Sequence, residues 1–146
     1  MKASIERINR EKILLILNWC EKKFEKSKYW ETMPRLRVYK TNGHTKIKRY
    51  KEGIFGYFID NEIVIFVGKH NSIKSLCSTV IHEYKHYLSD FREWETILNK
   101  KNNSTDSIHD SKYDVYNSSF EKKARRFENK WKDVCFNELR NKLYQK

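Results

Sequence analysis

The sequence predicts an α+β fold, and three observations carry that expectation. Three stretches space their apolar residues every three to four positions, as amphipathic helices do. Three short runs between them are rich in β-branched and aromatic residues, as strands are. One Pro and four Gly in 146 residues, with 38% hydrophobic and 14% aromatic content, indicate a folded chain rather than a disordered one. No internal repeat or linker divides it, so residues 1–146 are expected to form one domain.

The first helix is expected from about Ser4 to Tyr29. Ile5, Ile8, Leu15, Ile16, Trp19, Cys20 and Phe24 make its apolar stripe, Ser4 is available as a cap, and Met33-Pro34 is a stop. Strands follow at Leu36–Tyr39, Ile54–Ile59 and Ile63–Val67, with Asn42-Gly43 and Asp60-Asn61 as turn signals. These predict a small antiparallel sheet of three to four strands, the last two paired as a hairpin. An extended peptide could add to the edge of such a sheet through main-chain hydrogen bonds. Arg35, Arg37, Lys40, Lys46, Lys48, Arg49 and Lys51 interleave with Tyr39 and Tyr50, a pattern suited to phosphate contact with base stacking. Protection of an edge strand against aggregation explains the same charges and is the favoured reading. His44 reads as a solvated loop residue.

The chemistry centres on Thr79-Val80-Ile81-His82-Glu83-Tyr84-Lys85-His86-Tyr87-Leu88. Helical geometry stacks side chains four apart, so His82 and His86 can converge on one Zn²⁺. Glu83, about 100° around the helix, is offset from that line and placed to act as general base toward a water activated by the metal. Ile73, Leu76, Cys77, Val80, Ile81, Tyr84 and Leu88 give the helix a buried face and leave the histidines on another. Asn71 or Ser72 can cap its start. The bland alternative is two surface histidines matching a short pattern by accident.

Beyond Leu88, Phe91, Trp94, Ile97 and Leu98 extend the helical spacing. The polar stretch from Asn99 to Ser111 reads as a mobile loop, a candidate lid or specificity element. The longest helix is expected from Ser118 to about Leu143, with Phe120, Ala124, Phe127, Trp131, Val134, Cys135 and Leu139 in register. A catalytic zinc requires a third protein ligand and an open position. Glu121 and His109 are the candidates. Glu121 is favoured because Ala124, one turn later, permits two helices to approach closely. Its competing role is structural: Ser118-Ser119-Phe120-Glu121 also matches a capping box. His109 would require its loop to be ordered.

His82-Glu83-Tyr84-Lys85-His86 followed by Glu121-x-x-Ala124-x-x-Phe127 resembles the small gluzincin-type zinc metallopeptidases, including the ImmA/IrrE-type domains. The resemblance covers roughly Gly53 to Trp131. It implies a minimal zincin-like fold, zinc held by His82, His86 and Glu121, and Glu83 as the residue that activates water for peptide-bond hydrolysis. The SprT-like proteases, which use a third histidine and act on DNA-bound proteins, are the alternative that His109 and the basic charge keep open. Tyr113 or Tyr116 could supply a donor to the oxyanion, or be core aromatics.

Composition bounds the partners. With 31 Lys and Arg against 19 Asp and Glu, the net charge of +12 would draw nucleic acid, anionic lipid or an acidic protein. Biased coding alone also produces such a composition. Cys20, Cys77 and Cys135 are odd in number and lack C-x-x-C spacing, as expected of buried thiols in a reducing compartment. The apolar run Ile13–Leu17 is too short for a signal peptide or a membrane span, so cytoplasmic residence is expected. The expected function is zinc-dependent cleavage of a protein or peptide substrate. The alternative is a nucleic-acid or partner-binding module whose zinc site is structural or degenerate.

Overall fold

The computed structural model describes residues 8–39, 56–67, 72–90 and 119–144. In chain order these form α1 (Arg10–Phe24), β1 (Arg35–Tyr39), β2 (Gly56–Ile59), β3 (Glu62–Phe66), α2 (Ile73–Leu88) and α3 (Ser119–Leu143). The described residues are mixed α+β, with three helices and one small sheet among them.

α1 is shorter than the sequence predicts. Asn9 caps it, its side chain accepting the Lys12 N–H at 3.0 Å, while Ser4 lies outside the described residues. The helix stops at Phe24, well before Pro34, because Glu25 takes φ 67° and ψ −172°, a conformation that L side chains rarely adopt. Two hydrogen bonds hold Glu25 there: its N–H donates to the Glu21 carbonyl at 2.9 Å, and its carbonyl accepts from the Tyr84 hydroxyl at 2.5 Å. Tertiary contact thus sets the end of this helix. Ile13 and Leu17 join Ile16, Trp19 and Cys20 on its buried face.

The sheet also departs from expectation. It has strand order β1-β3-β2, and β1 runs parallel to β3, so the sheet is mixed rather than antiparallel. β2 and β3 do form the expected hairpin, closed by Asp60 and Asn61 with φ of 51° and 56°. Positive φ at both central residues is the turn geometry whose twist matches paired strands, and Asp and Asn tolerate it. Insertion of the hairpin's second strand beside β1 fixes the register Leu36↔Ile63 and Val38↔Ile65. Central β3 is buried on both faces. Ile63 and Ile65 enter the main core, whereas Phe66 on the other face stacks with Tyr39 at 5.6 Å and meets Tyr57 at 5.9 Å.

α2 lies at the centre. Packed on the sheet, on α1 and on α3, it buries ten residues, from Ile73 to Tyr87, and of its side chains only Lys74 is exposed. Ser72, not Asn71, is the described cap, its hydroxyl accepting the Ser75 N–H at 3.1 Å. Phe24 joins the three helices, its ring centroid 4.7 Å from Phe127, 5.2 Å from Trp131 and 6.2 Å from Tyr84. The three cysteines are free and buried, as expected. No helix among the described residues is long and apolar enough to cross a membrane.

Candidate metal centre

Central burial of α2 corrects one expectation about the histidines. They do not stand on an open face; α3 covers them, leaving His86 only 5% exposed. His82 and His86 lie one turn apart with ring centroids separated by 5.0 Å. Glu121, in the first turn of α3, reaches both. Its Oε2 is 3.0 Å from His82 Nε2 and its Oε1 is 2.8 Å from His86 Nε2. Buried Ala124 sits one turn further along α3, on a helix packed against α2.

The ligand atoms offered by His82, His86 and Glu121 all lie within 4.8 Å of one another, and the three residues could hold a metal ion. The spacing fits. Bond lengths of about 2.0–2.1 Å at a tetrahedral angle separate two ligand atoms by about 3.3 Å; each imidazole lies within tenths of an ångström of that from one Glu121 oxygen, and the 4.8 Å that bounds the whole set leaves the ligand atoms to draw together around an ion. Two imidazoles and one carboxylate suit several divalent cations, and the geometry alone does not choose among them.

Charge makes the same case. Glu83, Glu121 and Glu128 face two imidazoles, and with both rings neutral and all three carboxylates ionised the cluster would carry three negative charges, of which Lys132 offsets part at Glu128. Protons on the histidines or on Glu83, or a divalent cation, reduce that charge, because a buried uncompensated charge is strongly destabilising. Burial opposes charge on His82, but the Glu83 carboxylate and the hydrogen bonds to Glu121 and Glu128 outweigh it and push the imidazolium pKa up to about 10. Burial likewise opposes charge on Glu121, yet its hydrogen bonds to the two histidines hold it well below the usual carboxylate range. Glu83 goes the other way. Its carboxyl is raised chiefly by burial, against the pull of His82 and His86.

Glu128 and Ser78 join the cluster without belonging to the His-Glu-x-x-His pattern or its expected third ligand. Glu128 Oε1 lies 2.7 Å from His82 Nδ1, and its Oε2 accepts a hydrogen bond from the Ser78 hydroxyl. Helical spacing offered a signal for both. Glu128 is seven residues after Glu121, two turns along the same face, and Ser78 is four before His82. Among Lys122, Lys123, Arg125, Arg126 and Lys130, however, an acid reads as part of a solvated, charge-mixed surface.

His109, Tyr113, Tyr116 and the stretch from Asn99 to Ser111 lie outside the described residues, as do His44, Tyr50 and the lysines from Lys40 to Lys51. Arg35 and Arg37 engage the hairpin. Arg37 pairs with Glu62 at 3.3 Å, and Arg35 donates to the Asp60 carbonyl at 3.3 Å. In comparisons with known proteins, no family model matches the chain, and no curated protein or solved structure matches it either.

Proposed function

We propose that the protein is a zinc-dependent metallopeptidase of minimal zincin-like fold, with His82, His86 and Glu121 as the zinc ligands and Glu83 as general base. One observation carries this reading: the Glu121 carboxylate meets both His-Glu-x-x-His imidazoles at 2.8–3.0 Å, with Glu83 buried beside them. Bound zinc would lower the pKa of water toward neutrality and polarise a peptide carbonyl. The chain's own residues do the rest. Three protein ligands leave a fourth position open, as catalytic rather than structural zinc sites do. Glu83, with its proton affinity raised by burial, takes the proton from the attacking water and returns it to the leaving amine.

The test uses the full chain loaded with zinc and offered denatured casein. Glu83→Gln is expected to retain one zinc per chain while cleavage falls by at least about 10²–10⁴-fold, the usual contribution of a positioned base. Glu121→Ala is expected to lose the metal. Equal cleavage by wild type and Glu83→Gln rules the mechanism out. Zinc bound normally by Glu121→Ala rules out the ligand set.

A further inference from the structure

We infer that Glu128 is the positioning residue of the metal centre: it accepts the Nδ1–H of His82 and so fixes the tautomer that presents Nε2 to the ion. The inference rests on the zinc-site reading above and adds a residue to it. Glu128 cannot be a fourth ligand to the same ion, because the two ring nitrogens of His82 point in diverging directions. Nε2 faces Glu121 at 3.0 Å, whereas Nδ1 faces Glu128 at 2.7 Å. A neutral imidazole carries one N–H. Donated from Nδ1 to a carboxylate, that hydrogen leaves the Nε2 lone pair for the metal, holds the ring plane and makes the nitrogen more basic.

Glu128 is itself held. The Ser78 hydroxyl donates to its second oxygen from one turn earlier on the helix that carries His82. The relay Ser78–Glu128–His82 therefore runs from α2 to α3 and back to α2. Glu121 and Glu128, two turns apart, grip opposite edges of one ring. Rotation of His82 about its side-chain torsions would break both contacts at once.

The experiment measures zinc affinity by competition with a chromogenic chelator for wild type, Glu128→Met, Ser78→Ala and the double variant, with melting of each protein in excess EDTA as the folding control. Glu128→Met keeps the side-chain length and removes the acceptor, and it is expected to weaken zinc binding about 10–100-fold, as loss of such outer partners does. Ser78→Ala is expected to weaken it about two- to fivefold, and to have no further effect once Glu128 is Met, because Ser78 acts through Glu128. A merely structural role would shift the EDTA melts and leave metal affinity in place. If Glu128→Met does not fold, Ser78→Ala decides the matter, since Ala is at home in a helix. Wild-type affinity in Glu128→Met, or in Ser78→Ala standing alone, overturns the inference and leaves the zinc site intact. Failure of the wild-type chain to bind zinc overturns both.

Discussion

Gly56 offers a sharp test of how closely the sheet approaches the central helix. A Cβ added there would stand 2.5 Å from the Val64 carbonyl oxygen, 3.1 Å from Thr79 Cγ2 and 3.2 Å from Ile65 Cδ1. Ordinary contact begins at 3.4 Å, so the methyl group must retreat from the Val64 oxygen by about 0.9 Å. That oxygen belongs to the backbone of β3, which pairs with β1 on one side and β2 on the other. It cannot move alone. Two effects compete in Gly56→Ala. Alanine reduces the entropy of the unfolded chain and would stabilise by about 0.4–1 kcal/mol if the site were open. Overpacking against fixed neighbours costs about 1–3 kcal/mol, and a backbone obstacle places the cost in the upper half of that range. The net expectation is destabilisation by about 1–2 kcal/mol. For a chain of this length about 3 °C corresponds to 1 kcal/mol, so the melting temperature should fall by about 3–6 °C. Circular dichroism melts of both proteins in excess EDTA measure the difference without a contribution from bound metal. An unchanged or raised melting temperature would show that β2 does not lie this close to β3 and to Thr79 of α2.

Two further outcomes are expected. Glu25→Gly should raise the melting temperature by about 2–5 °C, because relief of about 1–3 kcal/mol of backbone strain exceeds the about 0.5–1 kcal/mol of added chain entropy; a drop would mean that Glu25 is not strained. Zinc affinity should rise with pH by about tenfold per unit for each proton displaced. The sign follows from His82, whose pKa in the metal-free protein is raised to about 10, so through the neutral range the ion must expel a proton that it need not expel above that value. Titrations one pH unit apart that give equal affinities would exclude such competition.

The legible parts of this fold are those fixed by local chemistry. Ser72 caps α2 and Asp60-Asn61 closes the hairpin because side-chain oxygens and tolerance of positive φ act within a few residues. The grouping of His82, His86 and Glu121 was visible for a comparable reason: once two histidines occupy one helix face, few carboxylates further on are placed to meet both. The pairing of β1 was not visible. Whether Leu36 lies beside Ile63 in a parallel or an antiparallel ladder depends on the path of the chain between β1 and β2, not on the composition of either strand. The end of α1 was hidden likewise, since Glu25 and the residues after it do not forbid a helix and the Tyr84 hydroxyl is 59 residues away. Glu128 was hidden by its basic neighbours, although its partner His82 belongs to a legible motif.

The division of the candidate metal centre between two helices has a consequence for the order in which the molecule is made. Translation delivers α2 first, and α3 follows only after residues 89–118 have been added. A nascent or prematurely terminated chain that ends before Glu121 carries both imidazoles without the carboxylate that bridges them, and one that ends before Glu128 leaves the far edge of His82 ungripped. The three side chains that could hold an ion are therefore brought together only late in synthesis, once α3 has been made and docked on α2.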